Sequence, residues 1–193
     1  MPWKYATVCS SNMNRSMEAH NQMLKSGLCV RSFGTGTTVR LPGPSESRPN
    51  VYEFGTPYAD ILADLKGKDV HLYTSNGLIK MLERNVLVKL APERWQSMDR
   101  TQAFDVVFTY EERVFSAVLE DLQARETESF RAWHVINIET RDNHDEAVTS
   151  AQITVKLCAL LDECDELEVQ LVPTVNDFVE HCSRAVRYSL VYT

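Results

Sequence analysis

Apolar residues along the chain alternate between short continuous runs, which read as strands, and three-to-four-residue spacings, which read as helices. Tyr5-Ala6-Thr7-Val8 is the first apolar run, and it ends at Cys9. Ser16 to Lys25 carries Met17, His20, Met23 and Leu24 at helical spacing and stops at Gly27. A second strand is predicted near Leu28 to Phe33, ending at Gly34-Thr35-Gly36. The Pro- and Ser-rich stretch from Leu41-Pro42-Gly43-Pro44 to Pro49 reads as a loop rather than a domain linker, because packed patterns resume on both sides. Tyr58 to Leu65 and Asn76 to Glu83 read as helices. Phe104 to Thr109 is a near-continuous apolar run, as expected of a buried parallel strand, and Glu111 to Arg125 is an amphipathic helix. Trp133 to Ile138 is a further strand. Asp145 to Arg187 is mostly helical with an interruption near Pro173, and Tyr188 to Tyr192 can close as a last strand.

This alternation predicts an α/β fold in three layers, a central and mostly parallel sheet with helices on both faces. Such sheets place ligands at the carboxyl ends of their strands. At 193 residues and 22.0 kDa, the chain reads as a single domain over 1–193 with a real core. No apolar stretch reaches membrane-spanning length and Met1-Pro2-Trp3-Lys4 lacks a signal-peptide core, so an intracellular protein with no membrane partner is expected. The five cysteines are scattered and odd in number, which reads as reduced thiols rather than a disulfide frame. A net charge of −7 argues against direct nucleic-acid binding, whose affinity comes from neutralised phosphates. An anionic substrate must then be captured locally.

One segment can do that. In Cys9-Ser10-Ser11-Asn12-Met13-Asn14-Arg15-Ser16 a strand ends in a short polar turn that runs into a helix, which aims successive backbone N–H groups and the positive helix end at one point. Ser10, Ser11, Asn12, Met13, Asn14 and Arg15 are the candidate phosphate-binding residues. The same field stabilises a thiolate at Cys9. Arg15 adds a planar fork suited to two phosphate oxygens, and Ser16 can hydrogen-bond the sulfur. Cys-x5-Arg alone is a common accident. None of Cys29, Cys158, Cys164 or Cys182 has an Arg six residues on, and none has this strand-to-helix setting. The plainer fate of Cys9 is a small buried hydrophobe at a strand end.

A second polar loop, Glu139-Thr140-Arg141-Asp142-Asn143-His144-Asp145-Glu146, follows the strand ending at Ile138 and so falls at the same sheet edge. A carboxyl there can donate the proton that a leaving alkoxide needs. It can equally be a solvated turn in which Asp142 or Asn143 caps the next helix. Gly34-Thr35-Gly36-Thr37 resembles a nucleotide-loop fragment but opens no helix, which favours a strand-end turn. His20, His71, His134, His144 and His181 show no ligand spacing with the cysteines, so neither a metal nor another cofactor is expected.

The motifs Val8-Cys9 to Ala19-His20, Val30 to Gly36, Leu41-Pro42-Gly43-Pro44, Pro49-Asn50-Val51-Tyr52, Tyr73-Thr74, Asn76-Gly77, Met81-Leu82, Pro92-Glu93-Arg94, Glu111-Glu112-Arg113-Val114 and Asp142-Asn143-His144 together resemble one family. It is the nuclear phosphatase family of the RNA polymerase II C-terminal domain (CTD), which works with the cleavage and polyadenylation machinery. The resemblance runs from Tyr5 to about Ala147. It implies a fold like that of low-molecular-weight tyrosine phosphatases, a nuclear location, and removal of phosphate from the fifth-position serine of the heptad repeat, with a cis bond to the following proline. It makes Cys9 the nucleophile, Arg15 the phosphate clamp, Ser16 the thiolate helper, Asn12 the keeper of the loop shape and Asp142 the general acid. It also implies a substrate-groove insertion at about 37–90, in which Arg40, Leu41, Pro42, Gly43, Tyr73 and Met81 line the peptide groove. Its partners would be the phosphorylated CTD peptide and a symplekin-like scaffold. The family usually has Lys where this chain has Arg40 and Asp where it has Glu139. Three other readings stay open: a tyrosine-specific phosphatase, an arsenate reductase, and a catalytically weak binding subunit of the mRNA 3′-end processing machinery. Arsenate reduction needs more redox cysteines near the first, and none lies between Cys29 and Cys158.

Overall fold

The computed structural model describes residues 3–125 and 131–193. Its core is a five-stranded sheet of β1 (Lys4–Cys9), β2 (Cys29–Gly34), β5 (Val106–Thr109), β6 (Ala132–Ile138) and β7 (Val186–Tyr192), in the order β2-β1-β5-β6-β7. Four strands run parallel, as helical crossovers require, while β7 returns antiparallel to β6. The sheet is therefore mixed and mostly parallel, flanked by helices on both faces.

Alternate side chains of each strand feed opposite cores. Tyr5, Val106, Phe108, Ile136 and Ile138 point to the face covered by α1 (Arg15–Lys25), α5 (His144–Leu161) and α6 (Leu167–Glu180). Ala6, Val8, Val107, Val135 and Val191 point to the other, where α4 (Glu112–Gln123) packs with Phe33, Trp95 and Trp133. A third cluster lies beside the sheet edge. There α2 (Tyr58–Ser75) and α3 (Leu78–Val88) bury Tyr58, Ile61, Leu65, Tyr73 and Leu82 against Met13 and Met17. These two helices and a hairpin stand over the carboxyl end of β1.

Three elements differ from the sequence expectation. The stretch around Leu41 to Pro49 is not a loop. It is an antiparallel hairpin of β3 (Val39–Ser45) and β4 (Arg48–Tyr52), with a register shift between Leu41 and Ser45. A two-stranded ribbon is all edge, so Pro42, Pro44 and Pro49 fit where no partner needs their missing N–H. Gly43 is required by contact, since a Cβ there would stand 1.7 Å from the Arg48 carbonyl oxygen. The second difference is length. α2 runs on to Ser75 through a non-helical Asp69, whose carboxylate accepts from the Leu72 amide at 2.9 Å and so starts the second segment. The third concerns the tail, where Pro173 sits inside α6 and the break falls at 162–166 instead.

Candidate active site

β1 ends at Cys9, and the chain turns through Ser10 to Asn14 before α1 begins at Arg15. What shapes this turn is the fate of its carbonyls. The Cys9 oxygen accepts from the Thr35 amide (3.0 Å) and the Ser10 oxygen from the Gly36 amide (2.9 Å). The Asn12 oxygen accepts from the Tyr58 hydroxyl (2.6 Å), the Met13 oxygen from Asn85 Nδ2 and Arg84 Nη2 (2.8 Å each), and the Asn14 oxygen from the Glu18 amide (2.8 Å). In a trans peptide the N–H of the next residue points opposite the C=O. Tying these oxygens outward turns the amides of Ser10, Ser11, Met13, Asn14 and Arg15 to the other side, over Cys9. Among the described residues none of the Ser10 to Asn14 amides donates to a protein acceptor. No side chain caps α1 either, so its first-turn amides remain available too. Such a nest of donors binds a tetrahedral oxyanion.

The Gly34-Thr35-Gly36 turn is the strand-end turn expected of it, and it forms the back wall of this nest. A Cβ on Gly34 would lie 2.7 Å from the Ser10 oxygen and 2.9 Å from the Asn12 nitrogen, so only glycine lets the two backbones meet.

Asn12 is the only non-glycine residue with positive φ (54°) among the described residues. Asn tolerates this left-handed conformation, and here both ends of its amide are held. Its Oδ1 accepts from the Glu93 backbone N–H (3.0 Å) and its Nδ2 donates to Ser16 Oγ (3.0 Å). A backbone N–H can only donate, which fixes the amide orientation and makes Ser16 Oγ an acceptor from Asn12. The Ser16 proton is then free to point at Cys9 Sγ, 3.0 Å away. Cys9 itself is 3% exposed.

Arg15, 5% exposed, lies beside the sulfur. Its Nη2 donates to Glu111 Oε2 at 2.6 Å and its Nη1 to the Thr140 carbonyl at 3.0 Å, while Nε has no hydrogen-bond partner among the described residues. A buried donor on the fork with no hydrogen bond is open to an anion in the cavity. Burial works against the guanidinium charge, but Cys9, Asp142 and Glu111 outweigh it and raise the Arg15 pKa above its usual value. Burial also acts to raise the Glu111 carboxyl. Its bond to Arg15 and the charges of Arg15 and Arg113 win, and hold it below the usual carboxylate range. The Tyr58 hydroxyl is pushed well above its ordinary value by burial and then by Cys9, so it stays protonated and keeps donating to Asn12.

Asp142 stands at the mouth, 60% exposed, with Oδ1 accepting from Asn14 Nδ2 at 2.9 Å and lying 3.5 Å from Arg15 Nε. The question of the helix cap has a geometric answer, because Asn143 Oδ1 accepts from the Glu146 amide and caps α5. Asp142 is thereby left to the cavity. Glu139 is engaged instead with Asn137, and it does not line the cavity.

A cavity of about 610 Å³ joins the two loops. Cys9, Ser11, Met13, Asn14 and Arg15 line its floor, Asp142 and His144 one wall, and Arg40, Leu41, Pro42 and Met81 the groove side. The side chains of Ser10, Asn12 and Ser16 are not at the cavity surface. Gly43 and Tyr73 are not at the cavity surface. Tyr73 is 2% exposed, and its hydroxyl accepts from Asn50 Nδ2 (2.9 Å), which also donates to the Pro42 carbonyl (2.9 Å). It supports the groove rim from inside. Sequence reasoning missed Glu111, Tyr58, Glu93, Arg84 and Asn85 as loop supports. Each acts through a contact spanning dozens of residues, for which no local spacing exists.

With the geometry in place, three comparisons bear on it. The family profile described as Ssu72-like protein matches residues 3–193. The zebrafish (Danio rerio) RNA polymerase II C-terminal domain phosphatase SSU72 is 49% identical over 191 residues, covering 99% of this chain and 97% of its own, and the human protein of that name is 44% identical over the same shares. A structure of the Drosophila melanogaster serine phosphatase of RNA polymerase II CTD, of the SSU72 superfamily, superposes with a TM-score of 0.95 at 41% identity, covering 99% of this chain and 100% of that one. A second Drosophila structure, Ssu72 and symplekin bound to a cis peptidomimetic of the CTD phosphorylated on the fifth-position serine, superposes with a TM-score of 0.94 at 39% identity, covering 99% and 98%. A profile spanning nearly the whole chain, relatives of such identity and solved structures of the same shape leave one assignment: this chain belongs to the Ssu72-like family.

Proposed function

We propose that this chain is a cysteine-dependent protein serine phosphatase that removes phosphate from phosphoserine-proline, at the fifth position of the RNA polymerase II CTD heptad. It acts in the nucleus, with a symplekin-like scaffold as partner, and folds as one domain whose groove insertion spans about 37–90. The reading is supported most by one observation, a nest of unpaired loop amides beside a buried thiol that sits 3.0 Å from a serine hydroxyl which already accepts from Asn12. The Drosophila relative held with symplekin and a cis peptide phosphorylated on the fifth-position serine supports the substrate and the partner.

The chemistry proceeds in two displacements. Cys9 thiolate attacks phosphorus, the bond from phosphorus to the serine oxygen breaks, and Asp142 gives its proton to that oxygen. Loop amides and the Arg15 fork hold the three equatorial oxygens as charge develops on them. Water then attacks the phosphocysteine, Asp142 takes back a proton, and inorganic phosphate leaves with the sulfur returned as thiolate, which Ser16 steadies. The cationic Arg40 and Lys80 in the cavity wall draw an anionic peptide to a protein that is acidic as a whole.

A panel of CTD peptides phosphorylated on serine, threonine or tyrosine tests the reading, and rapid turnover of phosphoserine-proline alone is the expected result. Preference for phosphotyrosine would replace it with the tyrosine phosphatase reading. Because about 10 to 30% of such bonds are cis in flexible peptides and exchange over tens of seconds, excess enzyme should consume a fast fraction and then wait. Added prolyl isomerase should erase the slow phase, whereas complete consumption in one fast phase without it would rule out cis selection.

A further inference from the structure

Outside the residues that touch the reacting atoms, one side chain has an unusual number of buried commitments. Arg84 on α3 is 14% exposed. Its Nη1 donates to Glu18 Oε2 on α1 at 2.6 Å, and its Nη2 donates to the Met13 carbonyl at 2.8 Å and to Asn85 Oδ1 at 2.7 Å. Asn85 completes the clasp, with Nδ2 on the same Met13 oxygen at 2.8 Å. Two side-chain donors thus converge on one loop carbonyl. The peptide plane they fix carries the Asn14 amide, one of the donors turned over Cys9.

The origin of these donors matters as much as their aim. Glu18 belongs to α1, which continues the phosphate loop, whereas Arg84 and Asn85 belong to the helix that also presents Met81 to the cavity, one turn earlier. Tyr58 at the start of α2 holds the neighbouring Asn12 carbonyl in the same way. The groove insertion therefore supplies the outward ties for the second half of the loop, and the Gly34–Gly36 turn supplies them for the first half.

We propose that Arg84 is a positioning residue for the phosphate loop: from the groove helix it holds the Met13 peptide plane so that the Asn14 amide faces the oxyanion, joining peptide groove and phosphate nest in one rigid unit. The inference rests on the phosphatase reading of the site and deepens it. A bidentate guanidinium can serve Glu18 and Met13 together, while an ammonium is a point charge. Arg84→Lys keeps the partner for Glu18 and loses the planar fork that reaches Met13.

The test is calorimetric binding of inorganic phosphate to Cys9→Ser and to Cys9→Ser/Arg84→Lys, which needs no turnover, joined to kinetics of Arg84→Lys in the active protein. Phosphate affinity should fall by up to about tenfold, the effect of one lost donor to an anion, with Asn85 still holding the Met13 oxygen from its other side. The kcat should fall by a similar factor on a phosphoserine-proline peptide and on a small aryl phosphate that never enters the groove. Unchanged phosphate affinity in Arg84→Lys, or a loss confined to the KM of the peptide, would overturn the proposal while leaving the phosphatase reading intact. Absence of phosphate binding in Cys9→Ser itself would overturn both. Should Arg84→Lys lower the melting temperature sharply, Glu18→Gln/Arg84→Met, which removes both buried charges, is measured the same way. Wild-type phosphate affinity in that protein would refute the positioning role.

Discussion

The two loops that meet in the cavity are built on opposite plans. The one from Cys9 to Arg15 is tied at nearly every carbonyl, with Cys9 3% and Arg15 5% exposed. The one carrying Asp142 is open to solvent, its carboxylate 60% exposed and held through Asn14 and the charge of Arg15. Groups that stabilise developing charge work best when they are fixed in place before the reaction and shielded from water. A group that gives and takes a proton in each cycle must instead reach water. The contrast in exposure fits the roles proposed for the two loops.

Replacing one residue in each loop sharpens the contrast. Cys9→Ser is expected to remove all turnover measurable with a phosphopeptide while leaving the melting temperature close to wild type, since an alkoxide is not available at neutral pH as a thiolate is. Chelators should change nothing, and restoration of activity by an added metal ion would break the scheme. Next in size, Arg15→Lys should cost about 10² to 10³ in kcat, the range seen when a donor to a developing oxyanion is lost. Asp142→Asn should cost about a hundredfold on phosphoserine-proline peptide and clearly less on an aryl phosphate with a good leaving group. Glu139→Gln and Asp145→Asn should be mild on both substrates. If Glu139→Gln carried the leaving-group-dependent loss instead, the open loop would have been read at the wrong carboxyl.

The smallest effect belongs to the buried side and concerns stability. Burial acts to raise the Glu18 carboxyl, but hydrogen bonds from Gln22 and Arg84 together with the Arg84 charge hold it below its ordinary value of 4.5. A depressed carboxylate contributes stability that is present above the unfolded pKa and lost as pH falls through the folded one. Glu18→Gln should therefore melt lower than wild type near neutrality. The gap should close as the pH drops below about 4.5. A gap that stayed constant down to about pH 3, followed by circular dichroism melts, would show that the ion pair contributes through shape rather than charge.

How much of the molecule is legible in the sequence depends on distance along the chain. The Cys9 loop can be read because Cys9, Arg15 and Ser16 lie within one short segment, and the helix read from Ser16 starts one residue earlier, at Arg15. The parallel strands are legible as continuous apolar runs. The β3–β4 hairpin is not, because prolines on an edge ribbon look like a loop when read locally. Asp142 falls in the right loop, yet only the Asn143 bond to Glu146 decides which of the two neighbours caps α5. The resemblance places Tyr73 in the groove and the structure places it beneath the rim, since a match of motif by position does not say whether a side chain faces the cavity or supports it from inside. Glu111, Tyr58 and Arg84 have no local signature. Their bonds to the loop close across gaps of 96, 46 and 71 residues.

Gly34 sets a tolerance for the whole site. With Ser10 oxygen and Asn12 nitrogen standing 2.7 and 2.9 Å from where a methyl carbon would go, the two backbones touch with no filler between them. A single added carbon would press on the backbone of the Ser10–Asn14 turn and on the edge of the Phe54 ring. Moving that turn even slightly rotates the peptide planes downstream of Ser10 and spreads the donors proposed to hold the phosphate oxygens. The constraint on the phosphate loop thus sits at a residue with no side chain, behind the loop rather than at the cavity surface.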